Sequence, residues 1–214
     1  MTTTRGKLVT ATQEAVASVG IAHLSARTVA ARAGVNQALV FYHFGTVSEM
    51  VEAATRALAD ETMDYYRERF ASVDSLTALL GLGEEVHARE RGTGNVAVMA
   101  QLMAGAQQDE ALARAARYAM DLWREEVELV VRRVLEPSAL VDVVEPAGLA
   151  RAISAAFIGL ELYEGVDPEG ATAALAALER LGVLVEAVDD LGPVARRAVR
   201  ARLRRGGKGR STAR

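Results

Sequence analysis

The residues best suited to chemistry lie in one short stretch near the N-terminus, where amide, phenol and imidazole side chains are closely spaced. Gln37 can form a bidentate pair of hydrogen bonds with adenine, and Ala38 and Leu39 can contact the methyl group of thymine. Tyr42 and His43 can donate hydrogen bonds to phosphates, which fix the register of a protein on a duplex without reading its sequence. These residue types at this spacing predict a surface that contacts duplex DNA.

Two short helical patterns surround these side chains and would position them. Ser25 is a good N-cap for the first helix, because its hydroxyl can accept a hydrogen bond from an unpaired backbone N–H. Gly34 permits a positive φ where that helix ends, and Asn36 caps a second helix predicted over residues 37–44. Two helices joined by a short Gly-containing turn form a helix-turn-helix, whose second helix lies in the major groove.

The same stretch resembles the N-terminal region of the TetR family of transcriptional regulators. The resemblance rests on Ser25 as the cap, on Ala33-Gly34-Val35 as the turn and on the closing aromatic cluster Phe41-Tyr42-His43-Phe44. It is specific over about a quarter of the chain. It implies a set of DNA-binding residues, namely Ser25, Arg27, Asn36, Gln37, Ala38, Leu39, Phe41, Tyr42, His43 and Thr46.

Three domains are predicted on this basis. Residues 1–46 form a helix-turn-helix DNA-binding domain of three helices. Residues 47–192 form a larger helical domain for effector binding and dimerisation, and residues 193–214 form a basic tail that is partly disordered. The all-α fold class agrees with a composition rich in Ala, Leu, Glu and Arg, which favour helices.

The sequence departs from the family pattern after the aromatic cluster. Gly45, Thr46 and Val47 stand where the family often has a lysine that reaches a phosphate. Thr46 can still cap the next helix, and the first-turn N–H groups of that helix could hold a phosphate. Phe41 stands where tyrosine is usual. These departures keep an alternative open, namely a helical small-molecule binding protein with a degenerate DNA-binding head.

Composition excludes several other classes of protein. The chain of 214 residues has no cysteine, which excludes disulfides and zinc–thiolate sites. No apolar run reaches the roughly 18 residues expected of a membrane span, and the first residues lack the apolar core of a signal peptide. A cytoplasmic protein without membrane partners is expected. The charge is strongly divided, with +3 over residues 1–46, −15 over residues 47–190 and +9 over residues 191–214. A basic head on an acidic body suits a protein that presents one end to a polyanion.

Apolar periodicity predicts a series of helices behind the head, over residues 46–70, 76–90, 96–106, 109–135, 146–164 and 171–188, with a loop at residues 91–95. The last two of these helices carry faces suited to self-association. The small residues of the first are Ala152, Ala155, Ala156 and Gly159, and the apolar residues of the second are Ala174, Ala177, Leu178, Leu181 and Leu184. A homodimer would match the two half-sites of a palindromic operator, although the same faces could pack within one chain.

An effector site is expected among the middle helices, as the resemblance implies. The residues that could line it are His87, Met99, Met103, Tyr118, Trp123 and Phe157, although such residues at helical spacing also suit an ordinary core. The three histidines lack the spacing of metal ligands, and no nucleophile has a plausible base. No metal, cofactor or enzymatic activity is therefore expected. The sequence predicts a transcriptional regulator, specifically a repressor released from DNA by a small molecule.

Overall fold

The structure is a computed structural model that describes residues 3–138, 140–141, 144–189, 191–192, 194–195, 197–199 and 201–202. Within this part of the chain the regular elements are helices, and no strand is present. The elements are α1 (Thr4–Val19), a 3-10 turn (Ile21–His23), α2 (Ala26–Ala33), α3 (Ala38–Phe44), α4 (Val47–Ser72), α5 (Leu76–Thr93), α6 (Asn95–Gly105), α7 (Glu110–Leu135), α8 (Pro146–Glu164) and α9 (Pro168–Asp189). The predicted all-α fold class is confirmed.

The helices pack into two compact units, which are described separately. The first unit contains the residues up to Tyr66 together with Ala88–Trp123. The second contains Arg67–His87 and the described residues from Arg124 onward. Helices α4, α5 and α7 each contribute residues to both units. The domain boundary expected at residue 46 stays a prediction, since the packing groups α1–α3 with the first part of α4.

The head of the first unit is built on apolar residues from α1 to α4. Leu8, Val29, Val40 and Met50 are fully buried, one from each of the four helices in turn. Ala30 is also buried, and its small side chain lets α2 approach its neighbours closely. Because each buried Leu, Val or Met side chain contributes roughly 1.5–3 kcal/mol of transfer free energy, this core fixes how α2 and α3 are arranged.

Capping residues explain most of the helix ends. The Ser25 hydroxyl accepts a hydrogen bond from Thr28 N (3.1 Å), and Gly34 ends α2 in the left-handed region at φ 67°. Glu145 accepts hydrogen bonds from two amides at the start of α8, where Pro146 occupies the first turn. Asp167 accepts from Gly170 N (2.9 Å) and precedes α9, which therefore begins three residues earlier than predicted.

The loop predicted at residues 91–95 is wrong. Helix α5 continues through Thr93, and α6 begins at Asn95, so that Gly94 alone separates them. Gly94 has φ 81°, a left-handed conformation that glycine adopts without strain. Two glycines and a polar composition favoured a longer loop, whereas a single left-handed residue is enough to turn the chain.

In the second unit, α8 and α9 are neighbours in the sequence and pack together. Gly182 of α9 is buried against α5, where a Cβ would lie 3.3 Å from Cδ1 of Leu80. Arg133 of α7 donates hydrogen bonds to the Phe70 carbonyl (3.2 Å) and the Ala71 carbonyl (3.1 Å), and so caps the end of α4. The predicted basic tail over 193–214 lies mostly outside the described residues.

No helix in the part of the chain that the structure describes is both long enough and apolar enough to cross a membrane.

Candidate nucleic-acid interface

Helix α3 presents one exposed face to solvent. Gln37, Ala38, Phe41 and Tyr42 are exposed and lie on this face, while Val40 and Phe44 on the opposite face are buried in the core of the head. The division follows the helical repeat, in which residues three or four apart share a side. The exposed face carries an amide, a methyl group and two aromatic rings, which are groups suited to base edges and phosphates.

The closing aromatic cluster combines an exposed ring with a buried one. Tyr42 is 80% exposed, and its ring meets His43 edge to face with centroids 5.0 Å apart. His43 in turn lies 6.3 Å from the buried ring of Phe44. The guanidinium of Arg5 lies 5.2 Å from the Phe44 centroid, so a cation from α1 stands beside the end of α3. The cluster therefore anchors α3 and leaves the Tyr42 hydroxyl free to reach a phosphate.

Two of the predicted DNA contacts also have a structural role. Leu39 is half-buried and packs against the core of the head, so it helps to position α3, and its contact with a thymine methyl stays a prediction. The Thr46 hydroxyl accepts a hydrogen bond from Glu49 N (3.1 Å) and donates one to Glu49 Oε2 (2.9 Å). A phosphate approaching the start of α4 would meet the Glu49 carboxylate. The structure thus gives Thr46 a capping role, which was also expected of it.

The other predicted residues lie where the sequence suggested. Ser25 and Asn36 cap the two short helices, since Asn36 Oδ1 accepts a hydrogen bond from Ala38 N (2.8 Å). Arg27 is exposed in the first turn of α2. Arg32 near the end of α2 lies 3.6 Å from Glu14. Arg27 is therefore a cation of α2 available to a phosphate, whereas Arg32 is partly neutralised.

Hydrogen bonds at three positions join the head to the rest of the first unit. Ile21 N donates to Gln101 Oε1 of α6 (2.7 Å), and Ser48 Oγ of α4 donates to Asp109 Oδ2 before α7 (2.6 Å). Further along α4, Glu52 receives two hydrogen bonds at Oε2 from Arg114 of α7, of 3.0 and 2.7 Å. These hydrogen bonds connect the head directly to α6 and α7.

The helix-turn-helix region matches the family model described as "Bacterial regulatory proteins, tetR family" over residues 8–54. This part of the chain is a DNA-binding domain of the TetR type. The protein is accordingly a DNA-binding transcriptional regulator. The match contains every predicted DNA-binding residue and includes the start of α4. A comparison with curated protein sequences gives no match.

Solved structures of similar fold extend the likeness beyond the head. A putative TetR-family regulator from Rhodococcus sp. is 24% identical, with a TM-score of 0.66 over 84% of this chain and 98% of that chain. The putative transcriptional regulator SCO7518 from Streptomyces coelicolor A3(2) is 21% identical, with a TM-score of 0.65 over 84% and 98%. The multidrug binding protein EbrR, solved with proflavin, is 27% identical, with a TM-score of 0.60 over 82% and 99%.

Of the six residues predicted to line an effector site, four lie in the first unit, and His87 and Phe157 lie in the second. Met99 and Met103 of α6 are half-buried, and Met99 packs on the core formed around Leu102. The Tyr118 hydroxyl donates to Asp60 Oδ1 (2.5 Å), which joins α7 to α4 at an exposed position rather than lining a cavity. These contacts suit ordinary packing residues, and a role of these three residues in effector binding stays a prediction.

The remaining three predicted residues have aromatic or charged neighbours. In the second unit, the His87 ring lies 6.5 Å from Phe157, and His87 Nε2 lies 2.6 Å from Glu164 Oε2. In the first unit, the Trp123 ring lies 5.5 Å from the fully buried Tyr66. Burial is the main reason that the pKa of the Tyr66 phenol is raised.

Sequence reasoning missed the polar partner of Tyr66. Glu90 of α5 is only 7% exposed, and Tyr66 Oη donates to it (3.1 Å). A signal was available, since Glu90 continues the row of buried residues Leu79, Leu82 and Val86 along α5. A carboxylate on the buried face of a helix needs partners, and it therefore marks a site.

The cap at Asp109 gives a test of how the head is held. Its pKa is lowered, chiefly by the hydrogen bond from Ser48 and then by the amide of Leu112. A lowered pKa in the folded state stabilises the protein above the unfolded-state pKa, and this contribution is lost as the pH falls through the folded-state value. Asp109→Asn should lower the free energy of unfolding by about 1 kcal/mol at pH 7.

The difference in stability between the two proteins should shrink as the pH falls below the usual range of an aspartate, because the wild-type carboxyl then also becomes neutral. Urea unfolding at fixed protein concentration measures both values. Glu110→Gln is the matched control, because that side chain is 90% exposed and its change should be close to zero. A deficit of Asp109→Asn that persists undiminished in acid would contradict this account of the cap.

Proposed function

We propose that this regulator is a homodimeric repressor that binds a palindromic operator through α3 and releases it when a small molecule binds the body. The observation that carries the proposal is the exposed face of α3, with Gln37 at its start and Tyr42 at its end. Gln37 lies at the N-terminal end of the helix, where base contacts are made, and Tyr42 lies where it can reach a phosphate. The proposal places the protein in the cytoplasm, where its DNA is, and assigns it no enzymatic activity.

Self-association is supported by the exposed surfaces of α8 and α9. Ala152, Ala155, Ala156 and Gly159 all lie exposed on α8, as expected of a face without a partner in its own chain. On α9, Leu181 is 57% exposed, and Val183, on another side of the helix, is 54% exposed. Exposed apolar side chains in such a concentration are typical of a protein interface. A two-fold dimer through these helices would cover them and would supply the second head that a palindrome requires.

Effector response is supported by the way α4 connects two parts of the first unit. Met50 near its start is buried in the core of the head, and Tyr66 is buried against Trp123. These two residues are about 24 Å apart along the helix axis at the usual rise per residue. A ligand that moves Tyr66 would therefore move a helix that is itself part of the head. The bound proflavin of EbrR supports a small-molecule effector for this chain as well.

Selection from a random pool of duplex DNA tests the proposal directly. The full-length protein is incubated with the pool at moderate salt, and the retained fraction is sequenced. Recovery of a palindromic motif with half-sites a whole number of turns apart is expected. Weak retention that is independent of sequence and disappears with salt would overturn the proposal, and would favour a small-molecule binding protein with a degenerate head.

A further inference from the structure

Four helices of the first unit bring polar and aromatic side chains together around Glu90, and we call this group the Glu90 cluster. The Glu90 carboxylate accepts hydrogen bonds from Tyr66 Oη of α4 (3.1 Å), from Asn95 Nδ2 of α6 (2.5 Å) and from Arg89 Nη1 of α5 (2.7 Å). Trp123 of α7 completes the group through its contact with the Tyr66 ring. A carboxylate that is 7% exposed is thus held in place by two neutral donors and one cation.

The aromatic rings of the cluster form a surface for a flat cation. The guanidinium carbon of Arg89 lies 3.9 Å from the centroid of Tyr65 and 5.4 Å from that of Tyr66. Tyr65 and Tyr66 meet edge to face at 90°, so the two rings form a corner around the guanidinium. A planar cation over aromatic faces gains electrostatic attraction from the rings, and here it also pairs with the Glu90 carboxylate.

The members of the cluster differ in their access to solvent. The Arg89 side chain is 40% exposed, and Tyr65 is 45% exposed. Tyr66 is fully buried, and Glu90 is nearly so. Arg89 can therefore swing into water and keep its charge solvated, whereas the carboxylate cannot leave. If Arg89 left without replacement, a buried negative charge would lose its counter-ion, which is costly. A second cation from solvent would remove that cost.

We propose that the Glu90 cluster binds a flat organic cation, which takes the place of the Arg89 guanidinium over Tyr65 and Tyr66 and pairs with Glu90. Arg89 is thus a built-in substitute for the ligand that holds the site together when no effector is present. The inference rests on the proposed function in one respect: the cation would be the effector. Since Tyr66 belongs to α4, an occupant larger than a guanidinium would displace the helix that enters the head.

A matched pair of probes tests the charge requirement on the full-length protein without DNA. N-methylacridinium is a flat permanent cation, and acridine at about pH 8 is a neutral ring system of nearly the same shape. Isothermal titration calorimetry should detect N-methylacridinium binding that is at least about tenfold tighter than acridine binding, as expected for a charged partner of a buried carboxylate. Equal affinities for the two probes, or binding of neither, would overturn the inference.

Two substitutions in the cluster should shift the cation affinity in opposite directions. Arg89→Gln removes the resident competitor and should tighten N-methylacridinium binding severalfold or more, with little effect on acridine. Glu90→Gln removes the counter-charge while keeping an acceptor, and should weaken N-methylacridinium binding about tenfold or more. Arg117→Gln is the control, because it removes an exposed positive charge from α7 of the same unit. Circular dichroism confirms that each variant is helical.

The cation affinity of Arg89→Gln tests the inference even if Glu90→Gln fails to fold. Weaker cation binding by Arg89→Gln would show that Arg89 is part of a binding surface rather than a competitor, and would overturn the inference. The proposed function fails separately: a palindromic motif recovered by selection, with no cation binding, leaves a regulator whose effector has another chemistry. Cation binding without any sequence-specific DNA binding would support the cation site and would contradict the proposed function as a repressor.

Discussion

Operator binding by the Tyr42→Ala variant is expected to be at least about a hundredfold weaker than that of the wild-type protein at the same salt concentration. A hydrogen bond from a phenol to a charged phosphate contributes about 1.5–3 kcal/mol. A dimer makes the contact twice, which gives about 3–6 kcal/mol and therefore about 10² to 10⁴ in affinity. Tyr42 is 80% exposed, so its truncation should leave the stability of the head unchanged.

Fluorescence anisotropy with a labelled operator measures the effect. Tyr42→Phe retains the ring and its edge contact with His43, so it separates the hydroxyl from the packing. If the hydroxyl binds phosphate, Tyr42→Phe should lose most of what Tyr42→Ala loses. Neither substitution changes a charge, so the dependence of affinity on salt should keep the wild-type slope.

Arg27→Gln provides the contrast to the tyrosine variants. It removes an exposed cation of α2 and should reduce the salt slope as well as the affinity, because fewer counterions are released. Undiminished operator binding by Tyr42→Ala would show that α3 is not seated on the phosphate backbone as proposed. A loss of affinity confined to particular operator sequences would instead show that Tyr42 recognises bases and does not contact a phosphate.

Local signals in the sequence determined the head and most of the helix ends. A capping serine, a glycine and an aromatic cluster are properties of neighbouring residues, and Ser25 and Gly34 do adopt the cap and the left-handed conformation expected of them. The side that each helix buries was harder to predict on a short element. Leu39 was expected to face DNA, although an apolar residue beside Val40 on a helix of two turns can equally extend the core.

The Glu90 cluster depends on contacts between residues far apart in the chain. Tyr66, Glu90 and Trp123 come from three different helices, and no local pattern says which faces of α4, α5 and α7 meet. Trp123 was recognised from its residue type alone. Glu90 could have been recognised from its place in the buried row of α5, but the helix was predicted to end there.

Gly20→Ala is expected to lower the free energy of unfolding by about 2 kcal/mol. Gly20 ends α1 with φ 81° and ψ 165°, a region that is open almost only to glycine. A Cβ at this position would also lie 2.5 Å from Gln101 Oε1, the atom that accepts the hydrogen bond from Ile21 N. The substitution would therefore strain the backbone and crowd the amide that links the head to α6.

Gly34→Ala is the matched comparison, measured by urea unfolding at fixed protein concentration. Gly34 also has positive φ, but it lies in the left-handed helical region and has open space around its Cα. Alanine there costs about 1 kcal/mol, so Gly20→Ala should be clearly the less stable of the two. Equal losses would show that the unusual backbone at Gly20 is not required by the fold.

The Gly20→Ala/Gln101→Ala double variant separates backbone strain from collision with the amide. Gln101→Ala alone should cost about 1 kcal/mol, since it removes one acceptor. If strain dominates, Gly20→Ala should cost the same in either background, because shortening Gln101 leaves φ unchanged. If the collision dominates, the double variant should be no less stable than Gln101→Ala. We expect the first result, because a glutamine amide on a flexible stem can move aside whereas the backbone between α1 and α2 cannot.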